Sequence, residues 1–291
     1  MTWQRVATAV VLIPFVVGLV LFAPLGLLAV ALTLVILLSL FEFFALGDAI
    51  GHRAYKFWTA SCAVLLVFAQ YLAALDTARS LGNGLAIHRT IARFAVPAPS
   101  VGDVFFIFLI GVTILTLATK RPMVEALPAA GISSSALLMV ALPLSCAVRL
   151  HGIQVVGPTL LLFTLVITWV GDTAAYFVGR ALGKHAFAPI LSPKKTWEGA
   201  IASFAGALFV AVIAARWINM PLPHLLGMAA AGNVAGQAGD LFESSFKRSA
   251  GVKDSGTLLP GHGGILDRID ALVLAIPVVW YYWVWVYSPR A

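Results

Sequence analysis

Acidic side chains that could support metal-dependent chemistry are concentrated in the C-terminal half of this 291-residue chain. Seven of its 12 acidic residues lie between positions 172 and 270, namely Asp172, Glu198, Asp240, Glu243, Asp254, Asp267 and Asp270. Carboxylate oxygens are the ligands that Mg²⁺ prefers, and proteins usually share Mg²⁺ with substrate phosphates. This distribution favours a reaction of a phosphorylated compound.

Asp267 and Asp270 are three residues apart at the start of a predicted helix, so both point from one face of its first turn. Asp240 ends the preceding apolar segment and can reach the same place. The alternative is structural, with Asp267 capping the helix and Asp270 pairing with Arg268 or Arg248.

The segment 180–198 is rich in groups that can hold a phosphate chain. It contains Lys184, His185, Ser192, Lys194, Lys195 and Thr196. Gly263 and Gly264, further along, precede a helix whose first N–H groups suit an anion. The alternative for 180–198 is an ordinary basic cytoplasmic loop.

Two polar features interrupt otherwise apolar segments. Asp172 lies inside a long apolar run, where a carboxylate costs about 2.5–3.5 kcal/mol on insertion scales and usually has a function. Asn233, Gln237, Asp240 and Ser244 are spaced four, three and four residues apart, so they share one helix face with Lys247. Such a face must line a water-filled cavity or a seam between helices.

The elements that position these residues follow from the composition, which is 61% hydrophobic and only 11% charged. A soluble domain with so little charge could not cover its surface, and disorder is excluded by the apolar content. We therefore predict an all-α, polytopic helical bundle in a membrane. The net charge of +7 fits basic cytoplasmic loops better than nucleic-acid binding. Cys62 and Cys146 suggest neither a disulfide framework nor a zinc site.

Hydropathy predicts nine transmembrane segments, at about 6–22, 25–46, 57–75, 103–119, 132–149, 156–179, 199–218, 222–245 and 267–287. With the N-terminus inside, 13 Lys and Arg residues fall on the cytoplasmic side and 6 outside, as the positive-inside rule expects. The polar eighth segment is needed, because without it two basic loops, 181–198 and 246–266, would lie on opposite faces. Function is predicted to divide between a scaffold and lipid-access region, 1–155, and a catalytic region, 156–291, with cytoplasmic loops 180–198 and 246–266.

The closing motif resembles that of the phosphatidate cytidylyltransferases, or CDP-diglyceride synthases. The matching positions are Ser244, Lys247, Arg248, Lys253, Asp254, Gly256, Pro260, His262, Gly263, Gly264, Asp267, Arg268 and Asp270. The upstream segments DTAAYFVGRALGKH and SPKKTWEG are also similar to this family, so the resemblance covers about 172–270.

The resemblance implies an integral enzyme of the inner (plasma) membrane that condenses CTP with phosphatidate to give CDP-diacylglycerol and pyrophosphate, with its site facing the cytoplasm. It implies Mg²⁺ bound by Asp240 and Asp267, with Asp270 and Asp172 as further candidates. It assigns phosphate binding to Lys194, Lys195, Lys247, Arg248 and Lys253, with Ser192, Thr196, Asp254 and His262 shaping the nucleotide site. Lys184, Ser244, Gly263, Gly264 and Arg268 complete the expected binding set. A second cation and a homodimer are left open.

Two other function classes compete with this interpretation. A CTP-dependent polyprenol or lipid kinase would also bind CTP and Mg²⁺ at a membrane, although the complete H-G-G-x-x-D-R-x-D ending favours the cytidylyltransferase. An ion-coupled transporter would use Asp172 and Asp240 in a path open to both faces, but the acidic residues lie near the basic loops of one face.

Overall fold

The computed structural model describes residues 2–80, 99–258 and 263–288, in which helices and one short β-hairpin are joined by turns and loops. Seven helical segments among these residues are long and apolar enough to cross a membrane. They are Leu25–Ala49, Lys56–Thr77, Val101–Ala118, Met123–His151, Gly157–Leu182, Trp197–Ala214 and Leu266–Tyr287. The chain is therefore an all-α polytopic membrane protein, as its composition predicts.

The chain divides into two compact units. The middle unit is Ala23–Gly157, and the terminal unit combines the N-terminal helix with the chain from Pro158 onward. This division describes packing alone, so the predicted separation of a scaffold region from a catalytic region stays a prediction.

The middle unit is a bundle of apolar helices. They are α2 (Leu25–Ala49), α3 (Lys56–Ser80), α4 (Val101–Ala118), α5 (Ala126–Ala136) and α6 (Leu142–His151), with a 3₁₀ turn at Met123–Glu125 and a π-helical turn at Leu137–Ala141. The π turn joins α5 and α6 into one membrane-crossing segment, which begins earlier than the predicted 132–149. Ser100 caps α4 by accepting the Asp103 N–H, and Asp103 bonds back to the Ser100 N–H.

The terminal unit contains the helices that carry most of the predicted site. They are α1 (Thr2–Phe22), α7 (Gly157–Leu182), α8 (Trp197–Ala214), α9 (Leu222–Ser249) and α10 (Leu266–Tyr282), which continues as a π-helical turn at Trp283–Tyr287. Helices α9 and α10 approach closely along a stripe of glycines. A Cβ on Gly239 would lie 2.7 Å from the Asp270 backbone oxygen, and one on Gly232 would lie 3.0 Å from Val279. These glycines therefore allow the two helices to pack closely together.

Helix α9 is the polar eighth segment, and it is not among the seven segments that are long and apolar enough to cross a membrane. Its C-terminal end lies beside the N-terminal end of α8, because Arg248 Nε donates to the Leu191 backbone oxygen at 3.3 Å. The two helices are thus antiparallel, and the basic segments that precede α8 and follow α9 share one end of the unit. This is the arrangement that the nine-segment interpretation requires.

A two-stranded hairpin occupies part of the segment that the sequence analysis treated as a loop. Strands β1 (Ala186–Ala188) and β2 (Ser192–Thr196) pair antiparallel. The sequence did not predict them, because the strands are too short for an alternating pattern and Pro193 is atypical of a strand. The hairpin is attached to α8 by the Trp197 N–H, which donates to the His185 oxygen at 2.9 Å, and by edge-to-face packing of Phe187 on Trp197.

Candidate active site

A cavity of about 300 Å³ is lined by α7, the hairpin, α8 and α9 in the terminal unit. Two helices contribute carboxylates to its lining, Asp172 from α7 and Asp240 from α9. Strand β2 supplies Lys194, Lys195 and Thr196 on the facing side. The same cavity is thus lined by residues that are far apart in the sequence, namely 172, 194–196 and 240.

The hairpin places its cationic residues at the start of α8. Thr196 ends β2 and caps α8, its hydroxyl oxygen accepting the Gly199 N–H at 3.2 Å. Gly199 lets α8 approach α7, since a Cβ there would lie 3.0 Å from the Ala175 oxygen. Lys194 and Lys195 therefore lie next to the positive end of a helix, and together these groups make one wall of the cavity favourable for an anion.

An ion pair crosses the cavity between the lysine wall and the carboxylate wall. Lys195 Nζ lies 2.5 Å from Asp240 Oδ2, and each side chain is about 29% exposed. Asp172 lies close enough to interact electrostatically with Asp240, Lys195 and Arg268. The two carboxylates therefore repel each other, and a cation between them or beside them lowers that repulsion.

An amide network fixes the face of α9 that borders the cavity. Asn233 Nδ2 donates to Ser203 Oγ on α8 at 2.9 Å, and Gln237 Nε2 donates to Asn233 Oδ1 at 2.7 Å. Gln237 also reaches the Ala200 oxygen at 3.3 Å, while its side chain lines the cavity with Asp240. The polar stripe predicted on this helix thus forms both a seam with α8 and a cavity wall.

A second charged cluster is buried where α9 meets α10. Lys247 Nζ lies 2.5 Å from Glu243 Oε2 and 2.7 Å from Asp267 Oδ1, and all three side chains are at most 9% exposed. Asp267 Oδ2 also accepts the N–H groups of Ser255, at 2.9 Å, and Gly264, at 2.8 Å. Asp267 thereby ties the segment after α9 to the first turn of α10.

Asp270 on α10 is close enough to both groups of charges to interact with them. It interacts electrostatically with Asp240, Glu243 and Asp172, and its Oδ1 accepts the Ala271 N–H at 2.7 Å. A negative charge on Asp270 is therefore opposed by carboxylates of both groups.

The donor set suits a hard cation whose coordination is completed by a substrate. Among the described residues, no three His, Cys, Asp or Glu side chains converge on a single metal position. Mg²⁺ commonly takes one or two protein carboxylates and fills its other positions with water and substrate phosphates. The predicted ligands Asp240 and Asp267 each hold a lysine ammonium at 2.5–2.7 Å, so both already attract positive charge.

The other predicted site residues occupy varied positions. Arg248 is exposed and binds the oxygens of Leu191 and Val252, linking the hairpin to the segment after α9. Ser192 is half-buried in β2, and Ser244 is buried in α9. Lys184, Lys253, Asp254 and Arg268 are exposed. Gly263 adopts φ +82°, which favours glycine, and His262 lies outside the described residues.

Glu243 belongs to the acidic group of the C-terminal half, but no role in the site was predicted for it. Its position four residues before Lys247 was the available signal, because side chains at that spacing face each other on a helix. The pair formed by His185 Nδ1 and Glu198 Oε1, 2.6 Å apart, was also missed. It depends on a hairpin that the pattern of residues did not reveal.

Comparison with known proteins supports a shared ancestry across the chain. The sequence model of the cytidylyltransferase family matches residues 3–286. A phosphatidate cytidylyltransferase of Brucella suis is 41% identical over 179 residues, covering 60% of this chain and 63% of that protein. Proteins of the same name from Haemophilus influenzae and Staphylococcus aureus are 44% identical over 136 residues and 45% identical over 121 residues. Those matches cover 45% and 41% of this chain, and 47% and 46% of the respective relatives.

Proposed function

Because the chain belongs to the cytidylyltransferase family, we propose that it condenses CTP with phosphatidate to give CDP-diacylglycerol and pyrophosphate. The observation that carries this proposal is the cavity itself, which places lysines of β2 opposite Asp172 and Asp240 at one end of a membrane-embedded bundle. A lipid phosphate and a water-soluble nucleotide can meet only where the membrane borders the aqueous phase.

The reaction transfers a cytidylyl group between phosphates. An oxygen of the phosphatidate phosphate attacks the α-phosphorus of CTP, the bond from that phosphorus to the β-phosphate bridging oxygen breaks, and pyrophosphate leaves. The attacking oxygen is already anionic, so no protein nucleophile or strong base is required. The protein must align the two phosphates and neutralise the charge that grows on the leaving group.

Lys194 and Lys195 are the residues proposed to receive phosphate oxygens in the cavity. Lys195 now pairs with Asp240, and a phosphate chain entering the cavity would compete for its ammonium. Thr196 and the first N–H groups of α8 lie beside it and can add hydrogen bonds. Lys184, Ser192, Arg248, Lys253, Asp254, His262 and Arg268 stay proposed contributors to substrate binding.

Mg²⁺ is the proposed cofactor, and when bound it would neutralise phosphate charge as a Lewis acid. Asp240 and Asp267 are the proposed ligands, with Asp270 and Asp172 as further candidates. Their hard oxygen donors and their present contacts with lysine ammonium groups support this assignment. Whether a second cation or a homodimer takes part stays an open part of the proposal.

We place the protein in the inner membrane as a multi-pass enzyme with its site at the cytoplasmic face. The support is the positive-inside distribution of Lys and Arg and the shared end occupied by the two basic segments. Neither the kinase nor the transporter alternative is favoured by the family match, which covers nearly the whole chain.

The proposed activity is tested by incubating purified full-length protein in detergent with CTP, phosphatidate and Mg²⁺. We expect equal amounts of pyrophosphate and CDP-diacylglycerol to form, and no pyrophosphate when phosphatidate or Mg²⁺ is left out. Absence of both products from folded protein would refute the proposal.

A further inference from the structure

A second groove, of about 500 Å³, lies in the middle unit where the α2–α3 connection meets the C-terminal part of α4. It shares no residue with the cavity around Asp172. Its cationic lining comes from Arg53, Lys56 and Arg121, and its apolar lining includes Phe57, Trp58 and Leu115.

The cationic side of the groove is held in place by neighbouring groups. Arg121 Nη1 donates to the Arg53 backbone oxygen at 2.8 Å, and its guanidinium stacks over the Tyr55 ring at 5.7 Å. Lys56 pairs with Asp48 at 2.5 Å. In the described part of the chain no carboxylate forms an ion pair with Arg53 or Arg121. The Arg53 guanidinium and the remaining N–H donors of Arg121 can therefore bind an external anion.

The apolar side of the groove belongs to helices that cross the membrane. Phe57, in the first turn of α3, is 86% exposed. Trp58 is fixed by its indole N–H, which donates to the Phe108 oxygen at 3.1 Å. Aromatic side chains at the ends of membrane helices commonly sit at the level of lipid headgroups. The groove is therefore cationic at its rim and apolar toward the membrane interior.

We propose that this groove binds an anionic phospholipid, with the headgroup phosphate at Arg53 and Arg121 and the upper acyl chains against Phe57, Trp58 and Leu115. A guanidinium presents parallel N–H donors that match phosphate oxygens. The apolar lining between α3 and α4 favours a ligand with hydrocarbon chains over a free phosphate ion. The site is an addition to the proposed catalytic cavity and does not depend on it.

The test is native mass spectrometry of the purified full-length protein in detergent, titrated with phosphatidylglycerol or phosphatidylcholine in the absence of CTP. We expect tighter binding of phosphatidylglycerol. Replacing both arginines, Arg53→Gln with Arg121→Gln, should weaken phosphatidylglycerol binding about tenfold and leave phosphatidylcholine binding unchanged. The matched control is Lys120→Gln, which removes a neighbouring positive charge outside the groove and should change the affinity less than about twofold.

The single variant Arg53→Gln tests the site without removing a contact that the fold needs, because the Arg53 side chain has no partner among the described residues. We expect it to weaken phosphatidylglycerol binding about threefold with an unchanged unfolding temperature. Equal binding of the two lipids, or full phosphatidylglycerol binding by the double variant, would overturn the proposal. Displacement of phosphatidylglycerol by an equal concentration of inorganic phosphate would also overturn it. Because CTP is absent, these outcomes are independent of the proposed transferase activity.

Discussion

Lys247 is the most enclosed cation of the candidate site, held between Glu243 on its own helix and Asp267 on the next. Removing one member of a buried ion cluster leaves the remaining charges uncompensated. We expect Lys247→Met to lower the free energy of unfolding by about 3–5 kcal/mol, measured by denaturant titration in detergent micelles.

The matched control for Lys247 is Lys253→Met, because Lys253 is exposed in the segment that follows α9. Its replacement should change the free energy of unfolding by less than about 0.5 kcal/mol. If the two variants proved equally stable, Lys247 would not hold α9 and α10 together.

Asp240 and Asp267 are the residues on which the proposed metal site depends. Replacement by asparagine preserves the shape of each side chain and removes its charge, so Asp240→Asn and Asp267→Asn should each abolish turnover. The measurement is pyrophosphate release at saturating CTP, with Asp48→Asn in the middle unit as a carboxylate-to-amide control that keeps its activity. Near-full activity in either test variant would remove that residue from the metal site.

At the level of elements, the seam between α9 and α10 is expected to control the geometry of the site. A Cβ on Gly239 would lie 2.7 Å from the Asp270 backbone oxygen, so Gly239→Ala must push α10 away from α9. We expect it to cost about 1–3 kcal/mol of unfolding free energy and to lower turnover, because Asp240 and Asp270 flank the contact.

The control for this seam is Gly131→Ala on α5. A Cβ there would meet no atom within 4 Å, so the substitution should stabilise the helix by up to about 1 kcal/mol. Thermal unfolding of the two variants, followed by circular dichroism, measures the difference. Equal unfolding temperatures would show that the seam tolerates a methyl group.

The helices were predictable because long apolar runs allow few other structures in a membrane. The hairpin at residues 186–196 was not predictable, because its strands are too short to show an alternating sequence pattern. It is stabilised instead by pairing of the two strands and by the hydrogen bond from Trp197 to His185. In the site, the spacing of Asn233, Gln237 and Asp240 predicted a shared polar face. The approach of Lys195 to Asp240 depends on the hairpin, so no local pattern could reveal it.

At the level of the whole molecule, the proposed orientation places the segments before α8 and after α9 at the cytoplasmic face. Cys62 and Cys146 are buried, so single cysteines can be introduced against a low background. We expect Ile190→Cys, at an exposed position between the two strands, and Ser249→Cys to react with a membrane-impermeant maleimide only after cells are permeabilised. Arg216→Cys, exposed at the opposite end of α8, should react in intact cells. Reaction of Ile190→Cys in intact cells would contradict the proposed orientation and indicate the opposite one.

Transfer of the cytidylyl group from CTP to phosphatidate can be followed with isotope labels. Purified protein is incubated with phosphatidate, Mg²⁺ and CTP labelled either in the α-phosphate or in the γ-phosphate. We expect the α-label to enter the lipid and the γ-label to appear in pyrophosphate. Transfer of the γ-label to the lipid, with release of CDP, would contradict cytidylyl transfer and identify a kinase.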